Sequence, residues 1–461
     1  MLLFNTMNAS IQTLEQFREE FRAGRLTGRT QLKLSCHLKE FPPEIFDLAD
    51  SLEILDLSGN ALSSLPDRLP ELHKLKILFC SDNHFIELPR VLGQCKALSM
   101  IGFRNNNIRH ISPEALPPLL RWLILTGNQL TELPSELGHR PHLQKLMVAG
   151  NRLQTLPKEL VNCKKLELIR IAANRFEALP AVLLKLPRLS WLSYSGNPFC
   201  SSDEQIALQD TPVSLIPWNF LALQQKLGEG ASGVIYQAFW QADAPIPIPV
   251  AVKVFKGALT SDGLPMSEMA ACMRAGSHPN LITVLGKIEG HPDNANGLVM
   301  SLVEASYRNL AGPPSFASCT RDVYADDFRL SLSEGLCIAF GIASVAEQVH
   351  AKGIMHGDLY AHNILLGQDG HALLGDFGAA CFKPADAAQS LALEKIEVRA
   401  FGYLLEELLE RCESEATTSA TFATLSHLRA LRDACLHTDA TLRPVFTEIV
   451  ASLRSKSQKI L

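Results

Sequence analysis

The 461-residue sequence contains no block of Lys or Arg, no Cys-x-x-Cys pair and no apolar run of bilayer length. Without a basic block, and with a formal net charge of only −5, it gives no basis for a nucleic-acid or anionic-membrane partner. The eleven cysteines are odd in number and scattered, which excludes a paired zinc motif and a disulfide framework. Read as reduced thiols, they predict a cytoplasmic protein. The opening MLLFNTMNAS is apolar but lacks a basic flank, so neither a secretory leader nor a membrane span is expected. A hydrophobic content of 47% over this length suffices for two or three buried cores.

Asn60, Asn83, Asn106, Asn128, Asn151, Asn174 and Asn197 recur at spacings of 23, 23, 23, 22, 23 and 23 residues. Around each, apolar residues return three, five and eight positions before and two and five after, usually followed by Pro. For Asn60 they are Leu57, Leu55, Leu52, Leu62, Leu65 and Pro66. One such turn cannot bury its apolar face alone and must stack on others. Its Asn amide can satisfy backbone groups that the turn leaves buried. The pattern resembles the leucine-rich repeat, which implies one short parallel strand per turn over a continuous leucine core. An incomplete first repeat, Leu32 to Pro42, carries Cys36 in place of Asn. Before it, Ile11, Leu14, Phe17 and Phe21 share one helical face, as a cap requires.

Positions two, four and six before each Asn point away from the core onto the concave strand surface. There the sequence places Ile54, Ile77, Met100, Trp122, Lys145, Leu168 and Trp191, with Phe79, Ile124 and Met147 two residues further on. So apolar a face is either covered permanently, by the second half of the chain or a second copy, or is a docking site for a separate protein. For docking, the expected anchors are Trp122, Trp191, Phe79, Ile124 and Met147.

The repeat stops at Trp218. Leu227-Gly228-Glu229-Gly230-Ala231-Ser232-Gly233-Val234 reads Gly-x-Gly-x-x-Gly-x-Val, and Val250-Ala251-Val252-Lys253 follows. A glycine hairpin lets backbone lie close over phosphates and a Lys on the next strand can reach them; the pair is a far stronger signal than the glycines alone. From about Leu221 to Leu453 the chain resembles the protein-kinase family. That resemblance implies an ion pair between Lys253 and Glu268, the only acid between Gly263 and Asn280. It implies ATP binding by Leu227, Gly228, Glu229, Gly230, Ala231, Ser232, Gly233, Val234, Ala251 and Lys253. Met300 would limit the adenine pocket, and the backbone from Ser301 to Val303 would hold the base. His356-Gly357-Asp358-Leu359-Tyr360-Ala361-His362-Asn363 resembles the catalytic loop and Gly375-Asp376-Phe377-Gly378 the metal-binding turn. By that match Asp358 receives or orients the substrate proton, while Asn363 and Asp376 hold Mg2+ against the phosphates of ATP. Glu397 to Gly402 resembles the start of the central helix, and Leu442-Arg443-Pro444 the closing element.

Three departures stand out. Gly357 replaces an Arg that senses phosphate on the activation loop, so activity is expected not to depend on loop phosphorylation. Tyr360 replaces the Lys with which Ser/Thr kinases contact the transferring phosphate, a contact worth roughly 2–4 kcal/mol. Only eighteen residues separate Gly378 from Glu397, without an Ala-Pro-Glu element, so the protein-substrate platform is truncated and Arg443 is expected to pair with Glu394 instead. The segment Gly312 to Gly335 reads as a solvated insertion.

The sequence thus predicts a helical cap (1–31), an α/β leucine-rich-repeat horseshoe of about eight turns (32–200), a cap and linker (201–218), and an α+β two-lobed protein-kinase-like domain (219–455). The expected activity is transfer of the γ-phosphoryl group of ATP to Ser or Thr of a protein, with the repeats binding the partner or substrate through their concave face. The alternatives are a nucleotide-binding pseudokinase scaffold and a small-molecule phosphotransferase of the aminoglycoside-kinase type, whose loop is also written His-Gly-Asp-Leu.

Overall fold

The computed structural model describes residues 13–210, 213–230, 232–241, 246–257, 259–412 and 419–457; Ile11 and Ala231 lie outside them. The chain divides into two compact units, one ending at Arg188 and the other beginning at Leu189.

The first unit opens with α1 (Leu14–Arg22), capped by Thr13, whose Oγ1 accepts from the Gln16 N–H at 3.1 Å, and Phe17 is buried beneath it. Seven three-residue strands follow: β1 (Gln31–Lys33), β2 (Ile54–Asp56), β3 (Ile77–Phe79), β4 (Met100–Gly102), β5 (Trp122–Ile124), β6 (Lys145–Met147) and β7 (Leu168–Arg170). Each pairs in parallel with the next, residue for residue. The return legs are 3-10 turns such as Pro43–Leu48, Arg90–Gln94 and Lys158–Asn162, so the repeat is strand and 3-10 turn rather than the expected strand and α-helix. Runs this short, entered at a Pro, close i to i+3 rings more readily than a stable α-turn.

The expected amide ladder is present. The Asn128 side chain accepts from Ile108 N (3.0 Å) and donates to Phe103 O (2.8 Å) and Leu125 O (3.0 Å), so one amide joins its own turn to the one before. Asn151 and Asn174 repeat the same pattern one and two turns later. On the strand face, Phe79, Ile77, Met100, Trp122, Lys145 and Leu168 are buried, whereas Ile54, Ile124 and Met147 are half-buried. Part of the reason is local. Gly102 leaves room for the Phe79 ring, which would lie 2.5 Å from a Cβ there. Trp122 is overlaid by the Lys145 ammonium at 4.4 Å and sends its Nε1 to Met147 Sδ at 3.4 Å. Trp122 and Phe79 are thus not open anchors.

The second unit begins inside the last repeat, with β8 (Trp191–Ser193), α2 (Ser201–Asp210) and β9 (Leu215–Pro217). It continues through β10 (Leu221–Glu229), β11 (Gly233–Trp240), β12 (Ile248–Phe255), α3 (Pro265–Ala275), β13 (Val284–Glu289), β14 (Gly297–Ser301) and β15 (Arg308–Asn309). Then come α4 (Leu332–Ala351), β16 (Ile354–Met355), β17 (Ile364–Leu366), β18 (Ala372–Leu374), β19 (Cys381–Phe382), α5 (Ala387–Arg411), α6 (Ser419–Cys435) and α7 (Phe446–Ser457). One lobe is a six-stranded sheet in the order β10-β11-β12-β14-β13-β9 with α3 beside it. Its sixth strand comes from the segment expected to be a cap and linker: β9 pairs parallel to β13 through Ile216 and Ile288, which join Val250, Val252 and Val299 in one core. The other lobe packs α4 against α5 and α7. Helix α4 is long and apolar enough to cross a membrane by length and composition, but Ile338, Ile342, Val345 and Val349 are buried inside this unit.

Asn128→Ala should lower the free energy of unfolding of the repeat unit by roughly 2–4 kcal/mol in urea titration of the full chain, since it strands one buried N–H and two carbonyls. A loss below about 0.5 kcal/mol would mean that the ladder does not hold the turns together.

Candidate active site

The glycine hairpin joins β10 to β11, with Gly230 N donating to Gly233 O at 2.9 Å. Gly233 is obligatory sterically, because a Cβ would meet Val254 O at 2.5 Å, whereas Gly228 and Gly230 face open space. Behind the hairpin a cleft is lined by Gly230, Ser232, Gly233, Lys253, Glu268, Met300 and Asp376, together with apolar Ile235, Leu281, Leu298 and Leu374. These are residues from both halves of the motif set, brought together by folding. Leu227, Gly228, Glu229, Val234 and Ala251 lie on the strands around the cleft without lining it. Ser301 and Val303 line an adjoining open cavity with His278, Thr283 and Tyr307, which shares Leu281 and Ile282 with the cleft, and the Ser301 N–H is taken by Thr283 O at 2.9 Å. Ala231 lies outside the described residues.

Lys253 and Glu268 form an ion pair between β12 and α3, both nearly buried. Burial works against the Lys253 charge, but the carboxylates of Glu268 and Asp376 outweigh it and hold the ammonium above its ordinary pKa. Lys253 therefore stays a cation at neutral pH. Asp376 sits in the left-handed region with φ 49°, a conformation that costs a non-glycine residue about 1 kcal/mol or more. Its Oδ1 accepts from the Gly378 N–H at 3.1 Å, which helps to hold the turn. Beside it Asn363 donates its amide to Asp358 Oδ2 and to Asp358 O, both at 2.9 Å, and Asn363 O accepts from Gly375 N at 2.9 Å. Asp358, Asn363 and Asp376 are thus mechanically linked.

A single carboxylate supports this loop from below. Glu397 of α5, 1% exposed, accepts from His356 N at 3.0 Å and Gly357 N at 2.6 Å, and lies 2.6 Å from His350 Nε2 of α4. Burial alone would raise its pKa; His350, His356 and the backbone donors hold it below the ordinary carboxylate value. Gly357 has φ 75°, and a Cβ there would meet Ala379 O at 2.5 Å and Leu192 O at 2.6 Å. No side chain fits at this position.

Trp191, expected either to anchor a partner or to be covered by the second half of the chain, is packed on the loop that bears Asp358. Its ring stacks on Tyr360 at 4.2 Å and 4°, and its Nε1 donates to Leu359 O at 3.1 Å. Tyr403 lies 5.6 Å away on the same ring, and Arg321 rests 3.3 Å over Tyr403. The Gly312 to Gly335 segment is not a solvated insertion. Asp322 accepts from His362 N at 2.9 Å and meets His362 Nδ1 at 2.7 Å, while Tyr324 donates to Glu407 Oε2 at 3.1 Å. Glu394 accepts from Phe446 N at 2.9 Å, and Arg443 donates to Lys395 O (2.8 Å) and His437 O (2.9 Å), in place of the expected Arg443–Glu394 pair.

Residues 221–401 match the family model "Protein tyrosine and serine/threonine kinase". The chain contains a protein kinase domain. Residues 51–72 match the "Leucine Rich Repeat" model, so the architecture is repeats plus kinase domain. Over 202 residues (41% of this chain, 24% of that protein) the chain is 31% identical to fibroblast growth factor receptor 1 of Pleurodeles waltl. Over 158 residues (34% of this chain, 21% of that protein) it is 27% identical to a serine/threonine-protein kinase of Candida albicans. A third relative, probable serine/threonine-protein kinase gdt4 of Dictyostelium discoideum, is 26% identical over 159 residues, 34% of this chain and 9% of that protein. The chain thus spans at most about a quarter of the length of these relatives.

The kinase domain's acid response should expose Glu397. Because its folded pKa is depressed, its contribution is complete above the unfolded value, about 4.3, and is lost as pH falls through the folded value. Thermal melts of wild type and Glu397→Gln should differ by a constant amount from about pH 7 down to about pH 5, and the gap should shrink as pH falls below about 4.3. A gap that stays constant below that pH as well would remove the charged clamp.

Proposed function

We propose that the chain is an ATP-dependent protein kinase that phosphorylates Ser or Thr hydroxyls, with the repeats binding a protein substrate or partner. The observation that carries this reading is that Lys253–Glu268 and Asp376 share one cleft roofed by a glycine hairpin, with the Asp358–Asn363 pair bonded to the turn that bears Asp376. In this reading Lys253, fixed by Glu268, meets the non-transferred phosphates. Asp358, oriented by Asn363, takes the proton of the substrate hydroxyl as that oxygen bonds to the γ-phosphorus and the bond to the ADP oxygen breaks.

Among the described residues no three His, Cys, Asp or Glu side chains gather into a metal cage. One carboxylate, Asp376, and one amide oxygen, Asn363, fit an ion that takes most of its ligands from phosphate and water, as magnesium does. Bound there, magnesium would neutralise charge on the β- and γ-phosphates.

Only Ala379 to Asp386 lie between Gly378 and α5, which leaves little backbone to seat a protein substrate and favours, as a second reading, a nucleotide-binding scaffold. One assay separates the two. Purified protein with γ-phosphate-labelled ATP, alone and with a generic Ser/Thr substrate, should transfer label to Ser or Thr, and Asp358→Asn should lower kcat by about 10²–10⁴-fold with ATP affinity retained. Nucleotide binding without transfer by wild type would favour the scaffold, and label on Tyr would overturn the Ser/Thr assignment.

A further inference from the structure

The stretch Trp191 to Asp210 lies outside every motif of the kinase domain, yet it touches each part of the catalytic machinery that has to be aligned. The Trp191 indole stacks on Tyr360 and binds Leu359 O, directly after Asp358. Tyr194 N donates to Cys381 Sγ at 3.0 Å and Tyr194 Oη to Phe382 O at 3.2 Å, just past the Asp376 turn. Ser193 Oγ donates to Asp262 O on the loop leading to α3. Glu204 of α2 accepts from Gly196 N at 2.8 Å through one oxygen and from Ser267 Oγ at 2.9 Å through the other. Ser267 is the neighbour of Glu268 on α3. Leu208 of α2 packs on the Phe255, Met269, Met273 and Leu298 cluster that backs the Lys253–Glu268 pair.

We propose that Trp191 and Glu204 are positioning residues: the segment that bears them holds the catalytic loop, the shortened activation segment and α3 in their assembled arrangement, in place of a phosphate on the activation loop. This rests on the kinase reading above. The space itself supports the exchange. The position where the family carries a phosphate-sensing Arg is Gly357, and the room for any side chain there is taken by Leu192 O and Ala379 O. At Tyr360, where the family's Ser/Thr members carry Lys, the ring is stacked on Trp191. Both departures are answered by the same strand end. The bond of Glu204 to Gly196 N ties that strand end to α2, so loop and helix are held by one continuous element.

The test uses the full chain with Trp191→Phe, Trp191→Ala, Glu204→Ala and Ser267→Ala, read by kcat, ATP Kd and amide hydrogen exchange. In wild type, phosphatase treatment should leave kcat unchanged within twofold. Glu204→Ala and Trp191→Ala should lower kcat about 10- to 100-fold with ATP Kd within threefold, and Trp191→Phe, which keeps a ring on Tyr360, should recover most of the rate. Exchange in α3 should rise at least tenfold in Glu204→Ala, and in 355–363 in the Trp191 variants, while protection in α7 stays as in wild type. Ser267→Ala should reproduce Glu204→Ala.

Should Trp191→Ala fail to fold, Trp191→Phe and Glu204→Ala still decide. The proposal is overturned if kcat and local exchange are unchanged, if protection falls equally in α7, or if phosphatase treatment lowers kcat. Should wild type transfer no phosphate at all, the kinase reading falls by itself, and local exchange alone then upholds or overturns the clamp.

Discussion

A buried carboxylate governs the geometry of this kinase domain. Glu397 is enclosed by α4, α5 and the loop that carries Asp358, where an unpaired charge would cost several kcal/mol. It is tolerated because His356 N, Gly357 N and His350 all converge on it. Those bonds set the backbone of the loop, and the loop in turn sets Asp358 and Asn363, while His356 Nε2 meets Gly375 O at 2.9 Å beside Asp376. One helix thereby fixes both the loop that bears Asp358 and the turn that bears Asp376. A buried acid so fully satisfied rigidifies its surroundings because no partner can leave without stranding the charge.

Within that frame the two departures in the loop that bears Asp358 have a steric meaning that chain order alone hides. Gly357 is not simply an Arg lost: its φ of 75° and the carbonyls 2.5 and 2.6 Å from a virtual Cβ leave no place for a side chain. Tyr360 is a large aromatic because the face it meets is another large aromatic, and stacking of this kind adds about 0.5–1.5 kcal/mol beyond the area buried. Residues that look like decay against a family pattern can be complementary to a surface the pattern does not contain.

Local regularity was legible and long-range convergence was not. The period of 23 announced the strands, the leucine core and the Asn amides, since each turn repeats one local solution. It did not announce the 3-10 return legs, because three to six residues carry too little periodicity to tell one helix type from another. The glycine hairpin, Lys253, Glu268, Asp358, Asn363 and Asp376 could be singled out by order and spacing; the hairpin, Lys253, Glu268 and Asp376 line one cleft, and Asn363 is bonded to Asp358. Asp322, Glu204 and Trp191 could not, since each acts on a residue that is 40, 63 or 169 positions away in sequence. Trp191 misleads for a definite reason. Its strand position obeys the repeat, but its contacts belong to the second unit, and periodicity reports the first of these only.

The same consideration bears on the apolar strand face. Outward positions in a repeat read as exposed because the core is on the other side, yet β3, β4 and β5 bury Phe79, Met100 and Trp122. A side chain on a parallel three-residue strand has a neighbour about 4.8 Å away on each flank, so large residues on successive turns cover one another. The omission of a side chain at Gly102 lets Phe79 lie flat, and Lys145 spreads its stem over Trp122 with the ammonium above the ring. The half-buried part of that face is therefore Ile54, Ile124 and Met147 rather than its largest aromatics.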